Sequence, residues 1–85
     1  MLPLLYGDRF VGRIEPRIDR KTRTLRIVDL WWEEGFEPLS EEHAGFVDAL
    51  VDALRAHMAF ADLTKLAMPR TARHRALAAA VRARL

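Results

Sequence analysis

The chain contains no cysteine. That excludes a disulfide and a thiolate metal site, and it fits a reducing compartment. Asparagine and glutamine are also absent, and Ser40 is the lone serine. A helix-capping role accounts for Ser40, which leaves no serine for nucleophilic chemistry. His43, His57 and His74 do not have metal-ligand spacing, so they read as surface residues. Glu33-Glu34 and Glu41-Glu42 are adjacent pairs whose side chains diverge, so neither pair can work as acid and base on one bond. Gly7 and Gly12 fall in a hairpin, so there is no phosphate-cradling loop before a helix. No apolar run is long enough to span a bilayer, and the first residues show strand patterning rather than a signal peptide. No catalytic residue, metal ligand or cofactor is expected, and no membrane partner.

What is present is a pattern. The 85 residues suffice for one domain, residues 1–85, with a modest core. Gly7-Asp8 lies between two apolar runs, which is a two-residue hairpin signal. Leu2 to Tyr6 is the first expected strand, and Pro3 belongs at its start or on an edge. From Phe10 to Ile18 the residues alternate. Phe10, Gly12, Ile14, Pro16 and Ile18 point one way; Val11, Arg13, Glu15 and Arg17 point the other. A polar turn, Asp19 to Arg23, leads to a third strand, Leu25 to Trp32. Within it Leu25 and Ile27 share one face while Val28, Leu30 and Trp32 share the other. A bulge near Ile27-Val28, or burial of both faces, would repair that slip. Trp31-Trp32 puts one large ring on each face, and packing is the reading favoured for tryptophan over base stacking.

Gly35 and Pro38 punctuate a loop after the sheet. Ser40 is expected to cap a long helix running to about Phe60, with Glu41 and Glu42 in its first turn. Val47, Leu50, Val51, Leu54, Met58 and Ala61 form its apolar stripe. Leu63 to Met68 reads as a short fourth strand closed by Pro69. Thr71 is expected to cap a last helix, Ala72 to Arg84, with Leu77, Val81 and Leu85 as its apolar stripe. The expected fold is therefore α+β: a small antiparallel meander in the order β-β-β-α-β-α, barrel-like, packed against one long helix.

Charge is segregated along the chain. Residues 1–32 hold seven basic and four acidic side chains, residues 33–62 one and eight, and residues 63–85 six and none. Two readings follow. Either one side faces a polyanion, or the acidic and basic segments neutralise each other within the fold. Arg9, Arg13, Arg17, Arg20, Lys21 and Arg23 are the candidate DNA-binding residues, with Arg26 a further member and the basic last helix a second possible contributor. Arginines on a twisted strand and at a hairpin tip suit phosphate contact, weak and without sequence preference.

Leu4 to Arg17, Asp19-Arg20-Lys21 and Leu30-Trp31-Trp32-Glu33 carry a resemblance. The run Gly-Asp-Arg-x-Val-Gly-Arg, residues 7–13, is its most specific part. The chain resembles the C-terminal region of YcaQ/AlkZ-type winged-helix DNA glycosylases, bacterial enzymes that remove alkylated bases and unhook interstrand crosslinks. The resemblance covers nearly all of this chain and about the last quarter of such an enzyme. It implies a β-rich accessory domain whose sheet helps to form a DNA-facing cleft, in the bacterial cytoplasm at the nucleoid. The family's glutamine-containing catalytic motif has no counterpart here. Arg9 and Arg13 match the arginines of the run. Two functional readings follow: a non-catalytic DNA-binding accessory domain with duplex DNA as partner, or an interaction module that completes a separately encoded winged-helix protein. A free-standing enzyme is disfavoured by the side-chain inventory. A small core, a third strand apolar on both faces and a thin last helix also imply association, with winged-helix domains or with a second copy.

Overall fold

The computed structural model describes residues 2–85. It is α+β, a four-stranded sheet with two helices. The strands are β1 (Leu2–Tyr6), β2 (Arg9–Asp19) and β3 (Thr24–Trp32), then β4 (Lys65–Ala67) after the first helix. The helices are α1 (Phe46–Phe60) and α2 (Arg75–Ala83). Strand order is β1-β2-β3-β4. The first three strands form the antiparallel meander, but β4 joins β3 in parallel, so the sheet is mixed. It stays open, with β1 and β4 as its edges, and the expected barrel-like closure is not formed.

Two bulges set which side chains enter the core. Leu4 pairs with Gly12 and Leu5 with Phe10, so Val11 is the extra residue on β2. The uninterrupted alternation expected from Phe10 to Ile18 is thus broken. Val11, expected outward beside Arg13, is fully buried, and Ile14 follows it into the core. On β3, Glu15 pairs with Asp29 and Pro16 with Ile27, which leaves Val28 as the extra residue. This is the bulge anticipated near Ile27-Val28. It turns Leu25, Ile27 and Leu30 all inward and leaves Val28 exposed. Proline at position 16 suits the irregular step, where a ladder hydrogen bond is already interrupted.

The inward face of the sheet packs with Phe46, Val47, Leu50, Val51 and Leu54 of α1 and with Leu77, Ala78 and Val81 of α2. Leu85, expected in the last stripe, is half exposed. Both helices start later than their sequence signals. Ser40 does cap, its Oγ accepting from the Glu42 N–H at 3.2 Å, but the cap opens a 3-10 turn, Glu41–His43. The α-helix begins only after Gly45. Glycine has low helix propensity, and here it passes close under Tyr6: a Cβ on Gly45 would sit 2.9 Å from the tyrosine hydroxyl. Before α2, residues Ala72–His74 form a second 3-10 turn, and the Thr71 side chain makes no capping bond. Two side chains of that turn are held elsewhere. Arg73 Nη2 donates to the Leu30 carbonyl at 3.0 Å, and His74 Nε2 lies 2.7 Å from Asp29 Oδ1. β4 pairs only with Thr24 to Arg26, so Arg73 supplies a donor to β3 beyond the end of that ladder.

Candidate functional site

An open cavity of about 1060 Å³ is lined by Arg17, Arg20, Lys21, Arg26 and Arg70, with Asp19 the only acid in its lining. β2 and β3 supply Arg17 and Arg26 as directly opposed residues. Arg26 alternates with the buried Leu25 and Ile27, so it leaves the sheet on the side away from the helices. The turn after β2 supplies Arg20 and Lys21. The Asp19 carboxylate is occupied in shaping that turn: Oδ1 accepts from the N–H groups of Lys21 at 3.0 Å and Thr22 at 3.3 Å. Arg70 arrives from the segment after β4. The nearest anion to Arg17 is Glu15, at 3.9 Å, too far for a hydrogen bond. Among the described residues Arg20, Lys21, Arg26 and Arg70 have no ion-pair partner. Like charges directly opposed across a strand pair are destabilising, so this arrangement favours an anion between them.

A second, smaller cavity of about 330 Å³ is lined by Phe10, Gly12, Arg13, Trp31, Trp32 and Glu33. Arg13 and Trp31 are directly opposed on β2 and β3, and the Arg13 guanidinium lies 6.0 Å from the Phe10 ring centroid. Trp32 turns to the other side, where it stacks edge-on with Phe46 at 5.5 Å and tilted with Phe36 at 5.8 Å. The doublet therefore does split across the sheet. Gly12 makes this possible. A Cβ there would collide with the Trp31 carbonyl and the Trp32 ring, so only glycine lets the strands approach.

The six candidate residues are thus divided. Arg17, Arg20 and Lys21 line the large groove, and Arg13 sits at the aromatic slot. Arg9 lies 5.9 Å over the Phe36 ring, against a buried residue of the helix-facing core. Arg23 is bound: its Nη2 is 2.6 Å from Asp62 Oδ1, and its Nε donates to the Asp62 carbonyl at 3.2 Å. Both residues hold a left-handed backbone, φ 56° and 58°, an unfavourable conformation away from glycine. The carbonyl of Arg23 accepts from Thr64 and Lys65, so this pair fixes the hairpin tip to the start of β4. Arg26, a further candidate, does join the groove. Arg70 was not anticipated, because it reaches the groove only through the parallel insertion of β4.

The basic tail has other work. Arg84 Nε is 2.6 Å from Asp48 of α1, and Arg55 of α1 donates to the Arg84 carbonyl. His74, read from the sequence as a surface residue, is buried. Its hydrogen bond, followed by that from the Leu30 N–H, holds the Asp29 carboxyl below its ordinary value of 3.8. No family model matches the chain, and no solved structure matches it.

Proposed function

We propose that the chain is a non-catalytic DNA-binding accessory domain, of the kind found at the C-terminal end of YcaQ/AlkZ-like DNA glycosylases. The observation that carries the reading is the directly opposed pair Arg17 and Arg26, of which only Arg17 has an acidic neighbour, Glu15 at 3.9 Å, in a groove with three further cations. Such a groove gains affinity by releasing counterions from the phosphate backbone. Few contacts give non-specific binding to duplex DNA, with Kd on the order of 10⁻⁴ to 10⁻⁶ M at physiological salt. No base release is assigned to this chain. In a larger enzyme its sheet would line the DNA-facing side of the cleft, at the bacterial nucleoid.

Anisotropy of a labelled duplex across a salt series tests the reading. Replacing Arg17 and Arg26 together by alanine lowers affinity and flattens the log–log salt slope by about 2, near 0.9 per phosphate contact. Replacing the exposed helix residues Arg75 and Arg82 leaves both unchanged. Equal slopes for parent and groove variant would count against the groove.

A second reading, an interaction module that binds winged-helix domains or a second copy, has its own support. β1 is an edge strand with Leu2 and Leu5 exposed, and Pro3 only partly blunts that edge. Sedimentation showing a stable monomer at low micromolar concentration would remove self-association from it.

A further inference from the structure

The aromatic slot and the cationic groove occupy the same outer surface of β2 and β3. Trp31 faces Arg13 at one end, and Arg26 faces Arg17 at the other. We propose that this surface binds single-stranded DNA in preference to duplex, with a base on Trp31 and Phe10 and phosphates along Arg13, Arg17 and Arg26. The proposal rests on the DNA-binding reading and adds the form of DNA that is recognised. Three features point to it.

A duplex offers phosphates but no free base face, so it can use the groove and not the slot. A single strand can use both, because every base has a face that stacks on an aromatic ring. The slot volume, about 330 Å³, is at the small end of ligand clefts and suits one base rather than a double helix. The length also fits. Arg13 and Arg17 are four residues apart on β2, about 13 Å at 3.3 Å per residue. Stacked nucleotides rise about 3.4 Å along one strand, so the surface spans about four, the lower limit for single-strand binding modules. Glu15 lies between the two arginines on β2 and Glu33 stands at the slot rim. Glu15 opposes a passing phosphate, and its neutralisation is an internal check on the path.

The test uses the 85-residue protein and three labelled probes: a twelve-nucleotide thymidine strand, a twelve-base-pair duplex, and a strand of the same length with abasic sites. The parent binds the thymidine strand about tenfold more tightly than the duplex, and the abasic strand no better than the duplex. Trp31→Ala removes about fivefold or more from single-strand affinity and leaves duplex affinity unchanged. Glu15→Gln strengthens binding to all three probes. The abasic comparison needs no variant, so it decides the matter even if Trp31→Ala fails to fold. Equal binding of the thymidine and abasic strands overturns the base slot while the cationic groove stands. Absence of binding to every probe at low salt overturns both readings.

Discussion

Two sets of arginines stand in different regions of this small domain. Among the described residues Arg26 and Arg70 line the outer groove with no ion-pair partner and Arg17 has only Glu15 at 3.9 Å, whereas Arg23, Arg73 and Arg84 each hold two parts of the chain together. Net charge along the sequence cannot tell these apart. The acidic helix does neutralise part of the basic tail, through Asp48 and Arg84. It leaves the outer surface of β2 and β3 untouched. Neutralisation within the fold therefore accounts for part of the basic tail and not for the cations of that outer surface. A structural cation here is one to which the fold supplies an anion or carbonyl in another part of the chain.

That comparison has consequences that can be measured. The largest concerns the anchor beside Arg73. His74→Ala empties a buried site and leaves Asp29 without its main partner, which costs about 2 kcal/mol in urea unfolding. Acid sharpens it. Asp29 titrates below its ordinary value in the folded state, so its contribution is complete above 3.8 and is lost as pH falls below that value toward the lowered one. The parent loses stability over that acidic range more steeply than His74→Ala, read as the difference between their urea midpoints. Parallel curves would show that the Asp29–His74 bond carries no linkage.

Arg73→Ala comes next. It deletes one donor to the Leu30 carbonyl, and about 1 kcal/mol is the expected loss. Hydrogen exchange at the residues around Leu30 should rise first, because the anchor on β3 is what the variant removes. Arg84→Ala breaks a surface pair and should cost no more than about 0.5 kcal/mol.

The smallest stability effect belongs to the groove. Replacing Arg17 and Arg26 by alanine removes an opposed like-charge pair, so unfolding free energy stays within about 0.5 kcal/mol of the parent or rises. On the proposed DNA-binding reading the same variant binds duplex more weakly, with the flatter salt slope given above. A groove variant that unfolds readily, or an Arg73 variant that does not, would erase the distinction between the two sets.

The sequence by itself determined the local elements. Period-two runs, the Gly7-Asp8 and Asp19–Arg23 turns and the apolar stripe of α1 are short-range signals, and backbone geometry reads them directly. Even the bulge at Val28 was legible, because a slipped hydrophobic pattern on one strand has few remedies. The bulge at Val11 was hidden: Phe10, Gly12 and Ile14 continue the alternation without a visible break, and only pairing with β1 shows Val11 as the extra residue. Tertiary structure alone decided the parallel insertion of β4, since the direction of a three-residue strand depends on where the preceding helix delivers it. With β4 came Arg70 in the groove and the anchoring of Arg73 and His74 on β3. Partnership is likewise a long-range property. Asp62 reaches Arg23 across 39 positions and Asp29 reaches His74 across 45, and no local pattern encodes which charge will find a mate.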